Sequence, residues 1–218
     1  EDEKYNLLLE FGRLINEVNP TVVSMENVPQ IRETQIYTQF IETLRNNGYF
    51  ISESVVYCPD YGIPQTRRRF VLVASLLGPI ELIPPTHQRE NVHVQDFIGN
   101  LPRIQAGETD PNDPLHRAAV LSEKNLRRIR ASIPGGTWRD WPEELRCDCH
   151  KRESGQTYSS VYGRMTWEQI GPTITTQFFS YGTGRYGHPE QDRALSLREG
   201  ALIQTFPQDY DFIDPDRP

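Results

Sequence analysis

The run CPDYGIPQTRRRFVLVAS, Cys58 to Ser75, decides the fold. Its second half, Phe70 to Ser75, is a short apolar run rich in β-branched and aromatic residues, the composition of a buried strand. Its first half carries Gly62 and Pro64 and reads as a loop. Between them stand Arg67, Arg68 and Arg69. A guanidinium stays charged, so each must be paired or solvated where the loop enters the strand. Two readings compete: a clamp for an anion or a planar hydrogen-bonding ligand, and an exposed basic turn.

Working outward, Tyr5 to Glu17 places Leu7, Leu8, Phe11, Leu14, Ile15 and Val18 on a helical stripe, closed by Asn19-Pro20. Thr21 to Met25 reads as a central strand ending at Glu26-Asn27-Val28-Pro29. A carboxylate at the carboxyl end of a strand in an open α/β sheet borders the ligand crevice, although a helix cap or a plain loop acid would look the same. A second helix is predicted from about Ile31 to Asn46, stopped by Asn47-Gly48, and another strand from Phe50 to Tyr57. Helix, strand, helix, strand, loop, strand is the pattern of an α/β protein, here the latter half of a doubly wound sheet.

The chain has 218 residues, 36% hydrophobic and 24% charged, with a mean hydropathy of −0.62. These values predict a soluble globular protein able to bury a core. No apolar run approaches the roughly 18 to 20 residues a membrane helix needs, so no membrane partner is expected. Three cysteines do not make a disulfide framework and point to a reducing compartment. The chain opens at Glu1, and its only methionines, Met25 and Met165, lie inside patterned segments. That predicts a fragment, a processed product or one piece of a split protein. A net charge of −7 argues against blanket nucleic-acid affinity. From Leu115 to Arg193, however, 12 Lys and Arg stand against 9 Asp and Glu, which permits a local phosphate-binding face.

Beyond Gly78 prolines and polar residues multiply, and only Glu123 to Ile133 looks helical before about Gly171. This is the texture of a second, irregular domain. Cys147-Asp148-Cys149-His150 has zinc-binding residue types. Paired zinc cysteines usually stand two or more residues apart, and no second pair exists, so no metal site is expected. His87, His93, His116 and His188 form no ligand pattern. Trp138 and Trp141 could stack on bases, but tryptophans more often anchor a core. Gly171 to Thr176 has a strand signature, followed by a loop with Gly182, Gly184 and Gly187 that is not spaced as a dinucleotide fingerprint. Ser196 is placed to cap a helix from Leu197, with Glu199 completing the capping box.

Four separated pieces, in order, resemble the cytosine-5 DNA methyltransferase family: Glu26-Asn27-Val28 after a strand, Gln65-x-Arg67-x-Arg69, Pro172-Thr173-Ile174, and Arg193-x-Leu195-x-x-Arg198-Glu199 running to Phe206-Pro207. Leu44 to Tyr49 is similar to a weaker motif of that family. The resemblance implies a partial catalytic domain over residues 1–78 with half of the methyltransferase sheet, a smaller irregular target-recognition domain over 79–180, and a hinge and recognition-domain helix over 181–218. It implies methyl transfer from S-adenosylmethionine to carbon 5 of a cytosine flipped out of double-stranded DNA, in a bacterial, cytoplasmic restriction-modification setting.

By the same resemblance Glu26, Arg67 and Arg69 are catalytic. Glu26 would touch ring nitrogen 3 and the exocyclic amine of the cytosine. Arg67 and Arg69 would hold the base oxygen, the adjacent phosphate or Glu26 itself. Asn27 and Gln65 would buttress the pocket, Val28 would be a further substrate-binding residue, Thr173 and Ile174 would lie against the DNA backbone, and Arg198 and Glu199 would tie the recognition domain to the large one. The family's Phe-x-Gly-x-Gly donor loop, its Pro-Cys nucleophile loop and its last, Asn-containing motif are not found, and Cys58, preceding Pro59, is not assigned the nucleophile. The donor site is therefore expected to be largely missing and the chain alone inactive. The expected partner is a missing N-terminal half or a complementary subunit. A noncatalytic DNA-recognition module is the alternative; an RNA substrate fits less well with a recognition region of about 100 residues.

Overall fold

The computed structural model describes residues 6–155, 157–210 and 212. By its contacts the chain divides into two units, one of residues up to 61 with 67–86, the other of 62–66 with those from 87 onward.

In the first unit, helix α1 (Asn6–Val18) is followed by β1 (Val22–Asn27), a 3-10 turn (Pro29–Glu33), α2 (Gln35–Asn46), β2 (Phe50–Tyr57) and β3 (Arg68–Ser75). Asn19 ends α1 in the left-handed region at φ 47°, its N–H donating to Ile15 O at 2.8 Å. The second helix begins later than its apolar pattern suggests. Thr34 is extended, and its hydroxyl accepts the Tyr37 N–H, so a capped start at Gln35 replaces one continuous helix from Ile31. Its end is a Schellman turn: Gly48, at φ 83°, donates to Arg45 O and Tyr49 donates to Leu44 O.

The strand order is β1-β3-β2, with both neighbours antiparallel to β3. β1 and β2 thus run the same way, linked through α2, and β3 returns between them. This corrects one expectation. The central strand is β3, the more apolar sequence, and β1 lies at an edge of this sheet with Val22 half exposed. The described residues hold an α/β arrangement whose three strands give β3 antiparallel to both of its neighbours. One face of β3 supplies Phe70, Leu72 and Ala74, all fully buried, to a core completed by Phe40 and Leu44 of α2 and Ile15 of α1. Each such large side chain contributes roughly 1.5–3 kcal/mol of burial.

The second unit contains α3 (Val94–Ile98), a two-strand ladder of β4 (Thr109–Asp110) and β5 (Asp113–Arg117), α4 (Glu123–Ala131) and α5 (Leu197–Ile203), with one-turn 3-10 helices between them. Two apolar clusters hold it. Val94, Ile98, Met165, Ile174, Leu195 and Ile203 form one, and Ile129, Trp138, Trp141, Leu145 and Tyr181 the other. Trp138 and Trp141 are 3% and 2% exposed, so they are core anchors and not a stacking platform. The strand expected at 171–176 is absent: Gly171 makes one isolated bridge to Gln65, and the Ile174 N–H donates to a side chain. Ser196 caps α5 as anticipated, accepting the Glu199 N–H at 3.1 Å while Glu199 accepts the Ser196 N–H at 2.7 Å.

Candidate active site

Strand register brings Glu26, Arg67 and Arg69 together. Glu26 on β1 lies opposite Val71 on β3. Side chains alternate along a strand, so positions 67, 69 and 71 share the face of Glu26, opposite to the buried face of Phe70 and Leu72. Arg69 is the diagonal neighbour of Glu26 and forms an ion pair with it, Nε standing 2.6 Å from Glu26 Oε1. Arg67 Nη2 stands 3.6 Å from the same oxygen. Arg68 points the other way, its guanidinium 5.3 Å from the centre of the Tyr57 ring. The arginine run is thus neither wholly a clamp nor an exposed turn: two members reach a carboxylate and the third stacks on an aromatic face.

The cluster is open to solvent. The Glu26 side chain is 54% exposed and that of Arg69 24%. An ion pair at such exposure adds at most about 1 kcal/mol to stability. Cys58 belongs to the same neighbourhood, its N–H donating to Arg67 O at 2.9 Å. Burial pushes its thiol pKa up and outweighs Arg67 and Arg69, which pull it down, while Glu26 pushes it further up. A thiol held in its neutral form is a poor nucleophile. Cys58 is brought here by the strand register, two positions beyond Val56, which is paired with Arg69. At the end of β1 the Asn27 side chain accepts the Val28 N–H at 2.8 Å, fixing the turn out of the strand, and Val28 is exposed.

The remaining predicted site residues lie in the second unit, and their bonds are internal to it. Gln65 is 5% exposed, and both ends of its amide are used: Nε2 donates to Ile203 O at 3.1 Å and Oε1 accepts the Ile174 N–H at 3.0 Å. Ile174 is buried, and Thr173 Oγ1 donates to Thr66 O at 3.2 Å. Arg198 forks onto Asp113 at 2.6 and 3.1 Å and donates to Tyr210 O. Glu199 is fully buried, with one oxygen 2.7 Å from Arg193 Nη2 and the other 2.7 Å from Nη1. Burial would raise its pKa, but the Arg193 hydrogen bonds and charge, and His188 beyond them, hold it below the usual carboxylate value. Sequence reading gave His116 no role beyond forming no ligand pattern; it is fully buried and bridges Ser196 Oγ at 2.9 Å and Pro102 O at 2.8 Å. Its signal was weak, a lone histidine in the short polar β5.

Charge is redistributed by folding. Of the 12 basic residues between Leu115 and Arg193, Arg128, Arg164 and Arg193 are buried, whereas all 9 acidic ones are exposed. The basic excess seen in the sequence is therefore inside the protein. The glycines after Thr176 serve close packing and do not fit a nucleotide cradle. A Cβ at Gly184 would fall 2.4 Å from the Tyr186 ring, and one at Gly187 3.0 Å from the Gly163 carbonyl oxygen. Among the described residues no helix is long and apolar enough to cross a membrane.

Comparison with known proteins gives these features a context. The family model for C-5 cytosine-specific DNA methylases matches residues 1–217. The type II methylase M.HgiDII of Herpetosiphon aurantiacus is 56% identical over 213 residues, covering 96% of this chain and 60% of its own length. The type II methyltransferase M1.BsuMI of Bacillus subtilis is 32% identical, covering 98% and 49%. This chain thus spans 49% to 60% of the length of these relatives. Among solved structures, an E. coli prophage-encoded protein described as a DNA modification methyltransferase superposes with a TM-score of 0.62 at 19% identity, over 95% of this chain and 65% of that one. That likeness concerns the fold alone. A match over nearly every residue settles the family: the chain belongs to the C-5 cytosine-specific DNA methylases.

Proposed function

We propose that this chain is part of a restriction-modification DNA (cytosine-5-)-methyltransferase of the bacterial cytoplasm, and that it contributes the carboxylate that holds the target cytosine. The supporting observation is the placement of Glu26 and Arg69 on one face of the sheet, 2.6 Å apart. Methylation at carbon 5 proceeds through nucleophilic addition at carbon 6, which puts negative charge on the ring, and that charge must be neutralised. A carboxyl group facing ring nitrogen 3 and the exocyclic amine supplies the proton that neutralises nitrogen 3, and the carboxylate left behind accepts a hydrogen bond from the amine. The base must first leave the duplex to reach such a group. Arg69 and Arg67 both approach Oε1, so in this role they orient Glu26, with planar donors that lysine could not reproduce.

The second unit is the target-recognition part in this reading. Its surface carries no excess of positive charge, so duplex binding depends on where its cations stand and not on their number. Gln65, Ile174, Arg198 and Glu199 act there as scaffold. Thr173 and the segment around Val28 remain available to a substrate. S-adenosylmethionine is the methyl donor of the family; in this reading its site is largely missing from the chain, because the Phe-x-Gly-x-Gly loop is not found in it. The chain alone is accordingly inactive, and a complementary segment or subunit is its partner.

In the full-length protein, Glu26→Gln and Arg69→Ala are each expected to lower methylation of cytosine in duplex DNA by about 10²-fold or more, with duplex affinity almost unchanged. Methylation at the wild-type rate by either variant removes the catalytic assignment.

A further inference from the structure

A second cluster of chemically able side chains lies in the second unit. Cys147 stands at the N-cap of a single 3-10 turn, Asp148–Lys151, which carries Cys149 and His150. The two sulfurs and one ring nitrogen of His150 all lie within 4.8 Å of one another. Linear spacing hides this arrangement. A 3-10 helix has three residues per turn, so residues 147 and 150 fall on the same side, and Cys149 follows from the turn itself. In a tetrahedral zinc site with Zn–S of about 2.3 Å and Zn–N of about 2.0 Å, sulfurs stand about 3.8 Å apart and sulfur and nitrogen about 3.5 Å, inside the observed limit.

The surroundings hold the ligands in place. His150 is 5% exposed and stacks on Trp138, with ring centres 4.1 Å apart and planes 16° from parallel. The Tyr162 ring meets His150 edge-on, with ring centres 5.8 Å apart. Such outer partners are what fix metal-binding side chains. A cavity of about 320 Å³ opens beside His150, lined also by Trp138, Arg139, Glu143, Arg146 and Lys151. Two thiolates and one divalent ion sum to zero charge, so the neighbouring Arg146 and Lys151 do not oppose the ion. The segment also has a use for a staple. From Trp138 to Gly155 its regular structure is a series of 3-10 helices of three or four residues, too short to be stable by their own hydrogen bonds.

We propose that Cys147, Cys149 and His150 bind a structural zinc ion that holds the 138–155 segment of the second unit together. The test begins with the full-length protein purified under thiol reductant without chelator. Metal analysis is expected to find near-stoichiometric zinc, lost in Cys147→Ser and Cys149→Ser and retained in Cys58→Ser. Because the serine variants could fail to fold, the wild-type protein is also stripped and titrated with cobalt(II). Thiolate-to-cobalt charge-transfer bands and the strong visible bands of a tetrahedral ion are expected, abolished by one equivalent of zinc. Zinc far below one per chain with no cobalt–thiolate spectrum in folded wild-type protein overturns the proposal. So does zinc content unchanged in a folded Cys147→Ser/Cys149→Ser variant, or a Cys147–Cys149 disulfide in the protein as isolated.

Discussion

Both units of this protein pair arginine with glutamate, to opposite ends. In the first, Glu26 meets Arg69 on an open sheet face, with more than half of its side chain exposed. In the second, Glu199 meets Arg193 where neither side chain has measurable exposure. The bond lengths, 2.6 and 2.7 Å, barely differ. What differs is solvent, and hence what each pair can do. Water screens the first pair, which therefore adds little stability and can exchange its partner for a ligand. The second pair has lost its water, and every polar atom around it must be matched. Arg193 accordingly also donates to Ile104 O, Gln191 Oε1 and Ala194 O, and Glu199 also accepts the Ser196 N–H. One pair is presented and the other is built in.

Breaking the buried pair is the strongest test of that difference. Glu199→Gln leaves a buried guanidinium uncompensated and is expected to destabilise the second unit by about 3–5 kcal/mol, measured by denaturant unfolding or calorimetry. The double variant Arg193→Met/Glu199→Leu removes both charges and is expected to recover part of that loss. Acid provides a graded version of the same test. His188 Nδ1 accepts the Glu190 and Gln191 N–H groups at 3.1 and 2.9 Å, which leaves no room for a proton there. Burial pushes its pKa down to about 4; Glu199 and Glu190 work against that shift and Arg193 and Arg164 with it. With the folded value depressed, the unfolded chain binds a proton between pH 6.5 and about 4 that the native protein refuses, so stability falls as pH falls through that window. The loss from this one group is on the order of 3 kcal/mol, and His188→Gln, which retains an acceptor, is expected to flatten the slope. Next in size is Arg198→Ala. Asp113 is a quarter exposed and can be rehydrated, so the expected loss is about 2 kcal/mol.

The same contrast explains what could be read from the sequence. α1, α2, β2, β3 and α5 were legible because their signals are local: a helical stripe, Gly48 as a C-terminal stop, and Ser196 with Glu199 as a capping box. Glu26 and the arginines were legible as motifs, and alternation along β3 then puts residues 67 and 69 on one face. Strand order was not legible, since whether Val22–Asn27 or Arg68–Ser75 lies in the middle depends on pairing between segments some 50 residues apart. Gly171 to Thr176 looked like a strand because Ile174 and its threonines suit one. Its hydrogen bonds went instead to the Gln65 side chain and Thr66. Five-residue α3 is too short to show a period. The surface charge of the second unit was misleading for a related reason, because composition cannot tell a solvated arginine from one buried like Arg164 beside Ile129 O and Asp192.

The smallest expected effect is the most informative about function. If the Glu26–Arg69 pair is presented for a ligand and not retained for stability, then Glu26→Gln and Arg69→Ala should each move the unfolding free energy by less than about 1 kcal/mol, even though these two substitutions are the ones expected to halt methylation. The argument rests on exposure. Glu26 already contacts water, so removing Arg69 lets its carboxylate be rehydrated, whereas removing Arg193 strands Glu199 in a dry core. A loss of several kcal/mol from Arg69→Ala would place this cluster in the same class as the buried one, and any accompanying loss of turnover would then report unfolding. Unfolding curves of the two variants that overlay the wild type, together with silent catalysis, would instead separate the role of Glu26 from the stability of the sheet that carries it.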